Sequence, residues 1–202
     1  MNTDVDVNER VERILDRIVA VCDRKDIVYF IKVIEDDPLN AVSLPGGYIY
    51  VFKGVIDKAD NDDQLAGVIA HEVGHITAKH SVKRLQNIYG ALVLQAAAAT
   101  QTNAEVAQGV SIALTSLFLE YSQQDEFMAY RLGVKYLRKA AYDTKEMVKF
   151  LEKLQQEQER APLKKYSYWR THPNLSARMA VVNQEITGQL EFRDYLNLMG
   201  TE

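Results

Sequence analysis

Two histidines four positions apart, His71 and His75, with Glu72 between them in the run HEVGH, are the residues of this sequence best suited to chemistry. On a helix, residues i and i+4 lie one above the other, so both imidazoles can reach a single ion. Zinc suits imidazole nitrogen at roughly 2.0 to 2.1 Å, and a catalytic zinc takes three protein ligands and keeps one position for water. Glu72 is rotated around the helix, so its carboxylate can approach that water rather than the metal. The metal lowers the pKa of the water toward about 7, and the carboxylate takes its proton as a peptide carbonyl is attacked. The same carboxyl can then protonate the leaving amine. The pattern predicts metal-assisted hydrolysis, provided that the surrounding chain can hold it.

HExxH also arises by chance on charged helix faces, so its surroundings decide its weight. Leu65, Val68, Ile69, Val73 and Ile76 can pack the helix, and two of the four histidines in the chain form the pair. A metzincin would carry a further His six residues after His75, but that position is Ser81, and Ala78 stands where a Gly is expected. His80 is one residue out of register, which predicts a place behind the metal rather than on it. The other possibility is a Glu from a later helix, completing the His, His, Glu set of thermolysin-like enzymes. The single Cys22 excludes a disulfide framework and a Cys-rich zinc site, so any metal must be bound by His and carboxylates.

The elements that would position these residues are legible as hydrophobic periods. Val7, Val11, Ile14, Leu15, Ile18, Val21 and Cys22 recur at three- and four-residue intervals, predicting an amphipathic helix over Val7 to Arg24. The β-branched and aromatic run from Ile27 to Glu35 reads as a strand ended by Asp36, Asp37 and Pro38. A second extended piece, Asn40 to Leu44, is followed by a turn at Pro45, Gly46 and Gly47 and a third strand, Tyr48 to Phe52. These predict a small sheet, antiparallel in part. Beyond it the chain is helical. Asn61 and Gln64 resemble a capping box opening a helix from about Asp62 through Leu85, which carries HEVGH. Asp143 and Glu146 repeat that signal before a helix from about Thr144 to Glu159, which follows one from about Gln123 to Ala140. Residues 88–119 read as an apolar helical hairpin, either core or an exposed contact face. Residues 160–173 read as a loop before a short helix around Leu175 to Glu185.

Composition narrows the class. With 202 residues, 47% apolar and 26% charged, the chain suits one globular domain spanning 1–202. A net charge of -4 and a pI of about 5.6 leave no basic footprint for nucleic acid. No stretch reaches the roughly 18 consecutive apolar residues of a transmembrane helix. The acidic start MNTDVDVNERVERI lacks the order of a secretory signal.

Four blocks together carry a resemblance: NAVSLPGGYIYVFKG, HEVGHITAKH, then YSQQDEFMAYRLGVKYL about fifty residues later, then THPNLSARM. In this order, from about Asn40 to Met179, they resemble the M48 family of zinc metallopeptidases. The resemblance implies an α+β, predominantly helical, zincin-like (gluzincin) domain with a small N-terminal β-sheet packed on the HExxH helix, and one Zn2+ per chain. It implies Glu126 as the third zinc ligand; Glu120, the other acidic candidate, has no motif behind it. It implies His172 as a donor to the oxyanion of the tetrahedral intermediate, with Arg178 helping to position it. The family pattern runs on from this Glu as E-x-x-A-D, whereas here Glu126, Phe127, Met128 and Ala129 are followed by Tyr130. A carboxylate at that position would hold a ligand His by its other ring nitrogen, and losing such a partner typically costs about 10- to 100-fold in metal affinity or activity. Tyr130 offers a hydroxyl but no charge, which predicts weaker zinc binding or slower turnover than in Tyr130→Asp.

Substrate would be an unfolded or flexible polypeptide, its backbone paired with Asn40, Ala41, Val42 and Ser43 if that strand is a sheet edge beside the zinc helix; an ordinary buried strand is the alternative. Three functions follow: a neutral-pH endopeptidase in protein quality control, a zinc-binding chaperone-like protein of low activity that keeps the fold, or a helical interaction protein using residues 88–119 without metal. The same apolar region could contact a membrane surface or a partner. The family resemblance implies a bacterial periplasmic or membrane-associated setting with the export signal absent from this sequence, and cytoplasmic placement stays open.

Overall fold

The computed structural model describes residues 3–99, 121–161, 172 and 174–188. Helix α1, Val5–Val19, opens at Asp4, whose side chain accepts from the backbone N–H groups of Asp6 and Val7, and buries Val11, Ile14, Leu15 and Ile18. It stops short of the predicted Arg24. Val21 and Cys22 bond back three residues, to Ile18 and Val19, tightening the last turn before the chain enters the sheet.

Strands β1 (Phe30–Ile34), β2 (Ala41–Leu44) and β3 (Tyr48–Phe52) form a sheet of order β1-β3-β2. β1 runs parallel to β3 and β2 antiparallel, so the sheet is mixed as expected. Ile31, Val33, Ala41, Ser43, Ile49 and Val51 face inward, while Phe30, Leu44 and Tyr48 stay exposed. The hairpin turns through Gly46 and Gly47 at φ 95° and 93°, and a Cβ on Gly47 would come within 2.2 Å of the Val28 carbonyl oxygen. A short helix, α2 (Lys53–Lys58), follows β3 directly without a side-chain cap, which is why no sequence signal announced it.

Helix α3, Asp62–Thr77, starts at Asn61, whose side chain accepts from the Gln64 N–H. Its residues are buried without interruption from Gln64 to Ile76, because α1, β2, α5 (Gln123–Lys139) and α6 (Thr144–Arg160) all pack on it. The prediction of one helix through Leu85 is corrected here. The chain breaks at Lys79, φ 60°, and restarts as α4, His80–Ala99. A non-glycine residue in the left-handed region is costly. The break turns His80 back onto His75 and Ser81 onto Ser43, contacts that a continuous helix would not make.

Helix α5 opens at Ser122, which caps Asp125, and approaches α3 closely. A Cβ on Gly74 would lie 2.5 Å from the Ala129 carbonyl oxygen, so only glycine lets the two backbones meet. Helix α6 opens at Asp143, as the sequence predicted, and α7 spans Leu175–Thr187. The chain is thus α+β and mostly helical. The predicted hairpin over 88–119 lies outside the described residues from 100 onward, as does Glu120, and so does most of the predicted loop over 160–173. No helix among the described residues is long and apolar enough to cross a membrane.

Candidate active site

Three chain segments converge on α3. That helix supplies His71, Glu72 and His75, all without solvent exposure. The first turn of α5 supplies Glu126, brought in by the close approach at Gly74. His172 comes from just before α7, and Arg178 from its first turns. Every one of these side chains is buried.

The Nε2 atoms of His71 and His75 lie 3.0 Å apart. Glu126 offers Oε2 at 3.4 Å from the first and Oε1 at 3.3 Å from the second. A tetrahedral zinc with bonds of roughly 2.0 to 2.1 Å has ligand-to-ligand edges of about 3.3 Å. The spacing of these three donors fits such an ion, and their types, two imidazoles and a carboxylate, suit zinc. His172 joins the group: its Nδ1 is hydrogen-bonded to Glu126 Oε1 at 2.7 Å, and ligand atoms of all four residues lie within 4.8 Å of one another. The residue expected as an oxyanion donor therefore stands where it could also reach a metal. Arg178 turns its Nε to Glu126 Oε2 at 3.6 Å.

Burial sets the electrostatics. It depresses His71 to about 4 against the pull of Glu126 and lowers His75 as well, favouring neutral imidazoles with free lone pairs on the zinc helix, and it lowers His172 against the opposing pull of Glu126. Burial alone would raise Glu126, but His172, Arg178 and His75 outweigh it and hold that carboxyl well below the usual range. Glu72 goes the other way. Burial lifts it to about 7 despite the opposing influence of His75 and Ser43. Both of its oxygens are buried without a hydrogen-bond partner among the described residues, and His172 Nε2 approaches Oε1 only to 3.6 Å.

Tyr130 does stand behind His71, but with its ring: the two rings pack at 4.0 Å with a 33° tilt. His80 touches His75 and not the metal nitrogens, Nδ1 to Nδ1 at 3.0 Å. β2 is an edge strand packed beside α3. Phe52 N–H donates to the Asn40 carbonyl, and by antiparallel alternation Val42 also pairs with β3, so Ala41 and Ser43 direct their backbone groups outward. The outward Ser43 carbonyl accepts from Ser81 Oγ at 3.0 Å. Tyr121, which the sequence did not single out, stacks on His75 at 4.0 Å and hydrogen-bonds to Ser81. Its only signal was its place at the head of the YSQQDEF block.

A family model described as Peptidase family M48 matches residues 6–186. The chain belongs to peptidase family M48. Membership puts it among the zinc-dependent metalloproteases, and the His71, His75, Glu126, His172 cluster is a group that could hold the metal. This M48 chain is 32% identical over 135 residues to the mitochondrial metalloendopeptidase OMA1 of Schizosaccharomyces pombe, covering 66% of this chain and 40% of that protein. It is 28% identical over 174 residues to the beta-barrel assembly-enhancing protease of Escherichia coli, covering 81% of this chain and 36% of that protein. A mitochondrial metalloendopeptidase OMA1 of Saccharomyces cerevisiae is 29% identical over 147 residues, 69% of this chain and 41% of that one. The chain thus spans about two fifths of the length of the relatives it matches.

Proposed function

We propose that the chain is a zinc-dependent endopeptidase of zincin-like (gluzincin) fold, one domain over 1–202, that cleaves unfolded or flexible polypeptides in protein quality control. The observation that carries this reading is Glu72: a fully buried carboxylate whose oxygens have no close hydrogen-bond partner among the described residues, next to three donors spaced for zinc. Burying such a group costs free energy with no structural return, which is what a proton acceptor awaiting its partner requires.

His71 and His75 would hold the ion through Nε2, and Glu126 through its carboxylate. Zinc, when bound, supplies Lewis-acid activation of a water molecule and of the substrate carbonyl. Glu72, lifted to about 7, can take a proton at its carboxylate and return it to the leaving amine near neutral pH. His172 gives its Nδ1–H to Glu126, and as an imidazolium, the form that the Glu126 carboxylate favours, it can also donate from Nε2 to the negative charge developing on the carbonyl oxygen. Arg178 steadies Glu126 in turn. An extended peptide would pair with the outward backbone groups of Ala41 and Ser43, with Asn40 and Val42 holding the strand in register, so recognition would depend on backbone access.

The periplasmic or membrane-associated setting is likewise proposed from family resemblance. The chaperone-like alternative is not favoured, since the Tyr130 ring supports His71 rather than leaving it unbacked. The test is cleavage of a labelled unfolded protein. Glu72→Gln should lower turnover by about 10²- to 10⁴-fold while metal analysis still finds one zinc per chain. A zinc-loaded wild type that leaves the substrate intact would move the protein to the binding class.

A further inference from the structure

We propose that His80 and Asp125 form a relay that orients and polarises the metal ligand His75. The inference rests on the zinc site proposed above and concerns how tightly that site holds its ion.

The two nitrogens of His75 face different partners. Nε2 looks into the donor cluster, 3.0 Å from His71 Nε2 and 3.3 Å from Glu126 Oε1. Nδ1 looks away from it, to His80 Nδ1 at 3.0 Å. The far nitrogen of His80, Nε2, lies 3.5 Å from Asp125 Oδ1, which also faces Lys83 Nζ at 3.2 Å. That outermost contact is longer than a usual hydrogen bond, so Asp125 acts on His80 chiefly as a nearby negative charge.

These positions dictate the tautomers. A metal at His75 Nε2 takes that lone pair, so neutral His75 carries its proton on Nδ1. That N–H can only donate, so His80 Nδ1 must accept it, and the proton of His80 must then sit on Nε2, pointing at Asp125. Each ring is left with one choice. The negative charge of Asp125 therefore reaches the metal nitrogen through two imidazoles, raising the basicity of His75 and fixing its plane. Hydrogen bonds in such a chain strengthen one another in a medium of low dielectric.

The chain geometry that makes this possible is specific. Lys79, at φ 60°, breaks α3 from α4 and turns His80 back over His75. Asp125 and Glu126 are neighbours in the first turn of α5, so one helix start delivers both the carboxylate beside the metal and the one two rings away. Behind His71 stands the ring of Tyr130, packed on the imidazole at 4.0 Å.

The test compares zinc affinity, measured by competition with a chromophoric chelator, among wild type, His80→Ala, His80→Gln and Asp125→Asn. The visible absorption of each cobalt-substituted protein reports the geometry at His75. His80→Ala should weaken zinc by about 10- to 100-fold, and His80→Gln, whose side-chain oxygen can accept from His75 Nδ1, should recover part of the loss. Asp125→Asn should weaken binding by a few-fold. Its side chain lies at the rim, so the fold should tolerate the change even if His80→Ala loosens it. Wild type that binds zinc no more tightly than His80→Ala and Asp125→Asn would overturn the relay and leave the metal site standing. Wild type that binds no zinc would overturn the site itself, and the relay with it.

Discussion

Glu146, packed on the N-terminal end of α3, and Glu72, within its second half, are both buried, and their hydrogen-bond surroundings differ. Glu146, at the start of α6, meets the N-terminal end of α3. It accepts from Asn61 Nδ2 at 3.1 Å and Gln64 Nε2 at 2.9 Å and pairs with Lys149. The Lys149 ammonium first, then the two amides, hold its carboxyl down at about 2. Glu72, in the second half of α3, has no such donors and is pushed up to about 7 by burial. One carboxylate is saturated with hydrogen bonds and serves the fold. The other has none among the described residues, the arrangement expected of a carboxylate kept for reaction. A buried acid can thus be sorted into structure or chemistry by its donors before any substrate is known.

The strongest way to break this contrast is to add a further carboxylate to the core. Tyr130 is 1% exposed and among the largest buried side chains, so Tyr130→Asp removes an aromatic ring and buries a charge. Metal-free Tyr130→Asp should lose about 3 to 5 kcal/mol of stability. Its zinc affinity should nevertheless rise, toward about 10- to 100-fold, because the new carboxylate can accept from His71. Calorimetry of the metal-free proteins and chelator competition read the two effects separately. A variant that is as stable as wild type, or that binds zinc no better, would show that the site around His71 does not discriminate satisfied from unsatisfied acids.

Glu72→Gln sharpens the contrast with a smaller effect of unusual sign. Replacing a buried ionisable group with a neutral amide should stabilise the metal-free protein by about 1 to 3 kcal/mol at neutral pH, although it should slow turnover. Denaturant melts at pH 7 decide it. A less stable Glu72→Gln would mean that the carboxylate has structural partners after all.

What the sequence made legible follows from which signals are local. HEVGH needed only the i, i+4 geometry of one helix. The caps at Asn61 and Asp143 and the turn at Gly46 and Gly47 lie in the residue types themselves, and all three stand where expected. Assignments to Glu126, His172 and Arg178 needed the resemblance of whole blocks, because nothing local links residues some fifty and a hundred positions from the zinc helix. The break at Lys79 was not legible, since no Gly or Pro marks it and its cost is offset only by tertiary contacts at His75 and Ser43. With that break unseen, the register of His80 placed it behind the metal, but its direct contact with His75 could not be read. Tyr121 was missed for the same reason. Its meaning is a stacking partner 46 positions away in the chain.

The smallest expected effect lies at the saturated end. Glu146→Gln keeps an acceptor for Asn61 and Gln64 but loses the ion pair with Lys149, a lysine that is largely exposed and therefore screened, so the cost at neutral pH should be only about 1 kcal/mol. Its pH dependence carries the information. The folded carboxyl sits at about 2 against an ordinary 4.5, so its contribution is complete above pH 4.5 and is lost as pH falls from there toward 2. Wild type should exceed Glu146→Gln in stability at pH 7 and converge with it near pH 2. For Glu72 the folded value is raised, so the penalty is absent below its ordinary 4.5, grows between there and about 7, and makes metal-free wild type the less stable partner of Glu72→Gln at neutral pH. The two gaps should therefore have opposite signs at pH 7 and both close in acid. Melts of the three metal-free proteins across that range measure both, and gaps of the same sign would end the distinction between the two glutamates.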